Sequence, residues 1–288
     1  MKALSLIGLV LLCVLNGYSS RAWCDEQASA IEPLGNVVRP FNGRDLSGFT
    51  TWLRTSDRRE SEDNYSVENG MIHISGEGMG YLATVDSYRN YHLSIDYKWG
   101  RRTDGSKYVR NSGILLHATG PAGNARGIWM ASIECQLAQG CEGDLIVIRG
   151  KDKNETEIPV TITSDTSTAK DGRTRWQRGG RKTVYSGKQF WWSNHEVGFQ
   201  ELLDTHGHGD VASPLGAWTR VECICAGSRI TIKINGVTVN ECYDVFPTAG
   251  KILLENEKNE IYFRNFEIRP LVDSQSSERA PDDRTTHE

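Results

Sequence analysis

Tyr91-His92-Leu93-Ser94-Ile95-Asp96-Tyr97-Lys98-Trp99 alternates large apolar side chains with polar or charged ones along its whole length. Side chains on a β-strand point to opposite faces with period two. This run therefore buries Tyr91, Leu93, Ile95, Tyr97 and Trp99 and turns the others toward water. The same period returns at Ile230, Ile232 and Ile234, which alternate with Thr231 and Lys233. Between short β-prone runs stand Asn69-Gly70 and Asn235-Gly236, pairs that tolerate the positive φ values of a type I′ turn and so predict hairpins.

Outward from these, further strands are predicted near 81–85, 113–118, 130–138, 144–149, 218–225, 251–255 and 260–269, and one helical turn over Glu196 to Leu203. So many short antiparallel strands must double over to bury one face each, which predicts an all-β, two-sheet sandwich or jelly roll. The stretch from Lys151 to Lys182 breaks the pattern with Thr, Ser, Asp, Gly and a crowd of bases (Arg173, Arg175, Arg178, Arg181, Lys182), and reads as a long insertion. Such a crowd is a solvated loop, or else a contact for an acidic or phosphorylated partner. Phe190, Trp191 and Trp192 follow it, and they cap the core or stack on a flat ligand such as a sugar ring.

The chain has 288 residues, a net charge of −4 and 38% hydrophobic residues. The weakly acidic balance gives little counterion-release drive toward nucleic acid. Lys2, the apolar run Ala3 to Leu15, and the small residues Ser20 and Ala22 read as a signal peptide spanning 1–22, hence an exported protein, periplasmic or extracellular. No later stretch is apolar enough to span a membrane. Residues 23–40 read as a linker, 41–271 as the folded body and 272–288 as a disordered tail. After cleavage six cysteines remain, which permits disulfides. Cys223 and Cys225 share a strand face and do not suit each other, whereas Cys135 and Cys141 could close a short loop. Plain buried thiols are the other reading.

Chemistry concentrates in Ser132-Ile133-Glu134-Cys135-Gln136-Leu137. Period two gives Ile133, Cys135 and Leu137 to the core and sets Glu134 beside Gln136 on the opposite face. A carboxylate and a carboxamide there are costly to cover and useful if open, though a satisfied polar ladder is the alternative. In Asn111-Ser112-Gly113-Ile114-Leu115-Leu116-His117 the same logic sends His117 to the face of Glu134, where the two would form an acid–base pair. His206-Gly207-His208-Gly209-Asp210 carries metal-ligand residue types at alternate positions, but on a glycine-loosened segment. Serine-hydrolase, P-loop, dinucleotide and zincin motifs are missing.

Six stretches, in order, resemble one family. Phe41-Asn42-Gly43-Arg44-Asp45-Leu46-Ser47-Gly48-Phe49 is similar to the opening F-N-G-K-D-L-S-G-W motif of the 3-keto-disaccharide hydrolase domain family. Asn111 to Ile114, Ser132 to Leu137 with Gly143-Asp144, Gly216 to Thr219, Ile234 to Gly236, and Ile261 to Phe266 follow. The resemblance implies a concanavalin-A-like lectin/glucanase jelly roll with its site on a concave face. It also implies a carbohydrate substrate, with Glu134 and Gln136 as an E-x-Q pair and Arg264 as the arginine of an F-R-N motif. His117 stands where many members have arginine, and Leu253-Leu254-Glu255-Asn256 replaces the usual L-Q-S-like run.

For a sugar oxidised at C3, the carbonyl acidifies the C2 hydrogen. A base removes it, the enolate expels the C1 substituent, and water adds. On this expectation Glu134 is the base and His117 or His195 protonates the leaving oxygen. Gln136, Arg264, Asp144, Trp192 and His195 contact the sugar, and a divalent metal is a possible substitute for the arginine. Two other activities fit less of the sequence. An ordinary glycosidase would pair Glu134 with Asp144 or Glu255, and a non-catalytic lectin-like module would use Trp191, Trp192 or Trp176 as platforms.

Overall fold

The computed structural model describes residues 29–54 and 64–271. The expected signal peptide and tail fall outside the described residues. Seventeen strands follow one another: β1 (Phe49–Leu53), β2 (Tyr65–Glu68), β3 (Met71–Ile74), β4 (Met79–Thr84), β5 (Tyr88–Arg89), β6 (Tyr91–Trp99), β7 (Gly113–Thr119), β8 (Ala131–Gln136) and β9 (Leu145–Ile148). After them come β10 (Thr161–Thr168), β11 (Thr174–Trp176), β12 (Arg181–Val184), β13 (Thr219–Ala226), β14 (Arg229–Ile234), β15 (Val237–Phe246), β16 (Ala249–Glu257) and β17 (Ile261–Pro270).

They form two antiparallel sheets packed face to face, the all-β double-layered sandwich that the strand pattern predicts. One sheet has seven strands in the order β1-β4-β16-β7-β8-β9, with β5 on β16. The other has ten, β11-β10-β15-β14-β13-β6-β17-β3-β2, with β12 on β10. Both Asn-Gly pairs make their hairpins, β2 with β3 and β14 with β15, Asn69 and Asn235 at φ near +50°. The alternating apolar residues meet between the sheets. Leu93, Ile95 and Tyr97 of β6 and Cys223 and Val221 of β13 face Leu116 of β7 and Ile133 and Cys135 of β8 in one core. Each such side chain contributes about 1.5–3 kcal/mol by leaving water. A smaller apolar cluster, including Tyr81, Leu115, Trp129 and Leu253, covers part of the outer face of the seven-stranded sheet.

Three expectations change. The insertion at 151–182 is not a bare loop, because β10, β11 and the start of β12 widen the ten-stranded sheet. Four of its five crowded bases also form ion pairs: Arg173 with Glu201, Arg175 with Asp171, Arg178 with Glu241 and Lys182 with Asp244. No helix forms over 196–203, since Gly198 takes φ +79° and the Leu203 N–H donates to Lys107 of another loop. Residues 29–40 are tied down, Ile31 bridging to Tyr88 and Val38 to Ile268. Of the two readings of the cysteines, that of plain thiols holds: Cys135, Cys141, Cys223, Cys225 and Cys242 are all buried and free, and the loop between 135 and 141 is not bridged.

Candidate active site

On the outer face of the seven-stranded sheet, β8 presents Glu134 and Gln136 as period two requires, the core taking Ile133 and Cys135. Leu115 of β7 stands opposite Glu134 and Gly113 opposite Gln136. Beyond β7 lies β16, where Leu253 is the partner of Leu115 and Glu255 is next on the same face, beside Tyr81 of β4. Gly113 thus lies between Glu134 and Glu255 with no side chain of its own. A Cβ placed on it would stand 2.5 Å from Oε2 of Glu255 and 2.9 Å from Oε1 of Glu134. The two carboxyl groups converge over that gap.

Among the described residues no Lys, Arg or His forms an ion pair with Glu134, Glu255 or Glu257. Oε2 of both Glu255 and Glu257 is buried without a hydrogen bond, as is Oδ1 of Asn111. Glu134 keeps 5% of its surface exposed and Gln136 8%, against 1% for Glu255. Burial, reinforced by the charges of Glu257 and Asp144, raises the Glu134 carboxyl well above the ordinary carboxylate range. Burial does the same to Glu255, with Glu134 and Glu257 adding to it, and holds Glu257 at about 7. Acids this close cannot all ionise in a dry setting, so the cluster holds protons near neutrality. Gln136 anchors its Oε1 on the N–H groups of Leu137 and Ala138, which leaves its amide NH2 as the free donor end.

Other expected site residues lie elsewhere. His117 does not share the face of Glu134. The register slips between Leu116 and Thr119, and φ of +54° at His117 turns its ring into the core. There it is fully buried, packs edge-on against Tyr91 and donates from Nδ1 to the Pro247 carbonyl. Burial lowers its pKa to about 4, so the ring is neutral. Arg264 extends from the other sheet, on the face that carries Asp96, pairing with Asp96 at 3.4 Å and lying 3.9 Å over the ring of Trp218.

Asp144 is a structural pin, its oxygens accepting from the Trp192 N–H at 2.6 Å and Gln189 Nε2 at 2.8 Å. Trp192 is itself core and donates to the Gly140 carbonyl. His195 donates from Nδ1 to the same carbonyl, accepts from Arg173 at Nε2 and stacks on Trp191, and burial brings its pKa to about 4. Of the three aromatic residues, Phe190 and Trp192 cap the core while the Trp191 ring is covered by the Arg173 guanidinium at 4.2 Å. In the His206 to Asp210 segment the aspartate accepts from the Gly207 N–H and lies 3.4 Å from His206, closing a turn. Among the described residues no group of three His, Cys, Asp or Glu is set to hold a metal ion.

The structure therefore joins Glu134 and Gln136 to Glu255, which the sequence offered only as a second glycosidase acid, and to Gly113 and Glu257, which it did not single out. A signal for the last existed. In Leu253-Leu254-Glu255-Asn256-Glu257 two acids recur at period two within an apolar strand.

A family model described as a 3-keto-alpha-glucoside-1,2-lyase-like domain matches residues 37–269. No curated protein matches. Among solved structures, a candidate glycosyl hydrolase from Parabacteroides distasonis is 18% identical, with a TM-score of 0.45 over 86% of this chain and 97% of that one. The carbohydrate-binding module CBM66 from Bacillus subtilis is 10% identical, with a TM-score of 0.41 over 76% and 93%. A β-glucanase from Bacillus licheniformis is 10% identical, with a TM-score of 0.41 over 83% and 99%.

Proposed function

Because the chain belongs to the 3-keto-alpha-glucoside-1,2-lyase-like domain family, we propose that it cleaves 3-keto glycosides with the Glu134–Glu255 pair as its acid–base machinery. The observation that carries this is the convergence over Gly113 of two carboxyl groups with no cationic partner, an arrangement in which coupled acids part with their protons one after the other. Glu134, the more exposed of the two, takes the C2 proton, and the C2–H electrons move into the C2–C3 bond as the C3 carbonyl becomes an enolate. The Gln136 amide donates to that oxygen. The enolate then re-forms the carbonyl and expels the C1 oxygen, which takes the proton held by Glu255. Water adds across the C1–C2 double bond, OH to C1 and H to C2, and yields the free 3-keto sugar.

His117 and Arg264 have no part in these steps, and the carboxylate pair carries both proton transfers. A retaining glycosidase would instead hold its two carboxyl groups on either side of the anomeric carbon, roughly 5–5.5 Å apart. What favours proton abstraction over that reading is the family to which the chain belongs.

The test incubates the full chain with a 3-keto-glucoside and with its unoxidised glycoside, following aglycone release, and repeats both with Glu134→Gln. Release from the keto sugar alone, reduced at least ~100-fold in kcat by the substitution, is expected. Cleavage of both sugars would assign a two-carboxylate glycosidase, and saturable binding without turnover a lectin-like module.

A further inference from the structure

Beside the apolar end of the same outer face is a cleft of about 630 Å3 that the reaction does not use. Two loops wall it, 121–127 between β7 and β8 and 149–157 between β9 and β10. Both are fixed from below by Asn124, whose Nδ2 donates to the Thr119 and Pro121 carbonyls and whose Oδ1 accepts from the Ala131 N–H, while its own carbonyl accepts from the Lys151 N–H. The loops approach so closely that a Cβ on Gly150 would stand 1.7 Å from Asn124 Oδ1. The cleft is therefore preformed.

One buried side chain spans the distance from it to the acidic cluster. The Gly123 N–H donates to Tyr81 Oη at 3.2 Å, and Tyr81 is the cross-strand partner of Glu255. Four cations line the cleft: Arg126, Arg149, Lys151 and Lys153. Its three acids are already engaged. Glu157 pairs with Arg149, Glu155 pairs with Lys151, and Asp152 Oδ1 accepts from the N–H groups of Asn154 and Thr156. Arg126 and Lys153 form no ion pair among the described residues, and both are exposed. A rigid cleft with two uncommitted cations at the end of a carbohydrate face suits an anion carried on the sugar, which a guanidinium recognises through paired N–H donors.

We infer that this cleft binds an anionic substituent, a sulfate ester or a uronate carboxylate, on the part of the carbohydrate that extends beyond the cleaved unit. The inference rests on the outer face being a carbohydrate site, and direct binding separates its failure from failure of the reaction. Calorimetric titration of the full chain would compare a neutral disaccharide, its 6-O-sulfate, a uronate-containing disaccharide and inorganic sulfate. The two charged sugars should bind about tenfold more tightly than the neutral one, and that preference should shrink with added salt. Arg126→Asn with Lys153→Gln should remove the preference and leave neutral-sugar affinity and keto-glycoside turnover unchanged. Asparagine is chosen because Arg126 has φ of +58°, which it tolerates. Equal affinity for charged and neutral sugars, or a preference that survives the double substitution, overturns the inference. Inorganic sulfate binding as tightly as the sulfated sugar also overturns it, because the site would then serve a free ion. A preference for the charged sugars in a chain that turns over no keto glycoside would uphold the cleft and sink only the reaction.

Discussion

At Glu257 the chemistry of the cluster becomes measurable as stability. Its carboxyl is held at about 7 against an ordinary 4.5, so the folded protein keeps a proton that the unfolded chain releases between those values. That contribution favours folding below about pH 4.5 and is lost as the pH rises through about 7. Glu257→Gln should therefore raise the melting temperature at pH 8 by ~2–4 °C and have little effect at pH 4.5, as read by calorimetry at both values. His117 tests the opposite assignment. Buried and neutral with a pKa of about 4, it is stabilising above its ordinary 6.5 and loses that contribution as the pH falls toward 4. His117→Gln should lower the melting temperature yet leave both limbs of the kcat/KM pH profile where they were; a displaced limb would restore the histidine to the reaction.

A single residue of β7 decides whether the element presents a site or a polar ladder. With Gly113 the neighbouring acids lean together, and with any side chain there they cannot. Gly113→Ala should cost about 1–3 kcal/mol through overpacking and cut kcat by more than tenfold, measured by denaturant titration beside turnover. Unchanged turnover would show that convergence of the carboxyls is not needed. The same strand shows how far periodicity carries. From Gly113 to Leu116 alternation assigns every side chain to its face, and after that the bulge sends His117 inward. Period-two reading contains no information about a bulge, because the inserted residue is set by the closure of β7 against β16 and β8.

Across the whole molecule, the sandwich gathers four of the five described cysteines into one core. Cys135 of one sheet meets Cys223 of the other, and that hydrogen-bonded contact, with burial, raises the Cys223 thiol. Cys225 and Cys242 share the same core. These thiols should be unreactive toward a thiol-titrating reagent until the protein unfolds, and reductant should shift the melting temperature by less than ~1 °C. A fall of several degrees would reveal a bridge. The folding of the insertion into β10, β11 and β12 also explains why most of the basic crowd is paired, since it brings Asp171, Glu241 and Asp244 beside Arg175, Arg178 and Lys182.

Alternation along the strands, the Asn-Gly turns and the motif order were enough to specify an all-β double sheet with Glu134 and Gln136 facing away from the core, because both follow from rules that act over neighbouring residues. Only the tertiary structure decided which groups share that face. Glu255 lies 121 positions from Glu134 along the chain, yet only the width of Gly113 separates them in the sheet. Arg264, equally eligible by motif, faces away on the other sheet. Strand order brings distant residues together through the burial of many side chains at once, and no local pattern encodes which strand becomes the neighbour.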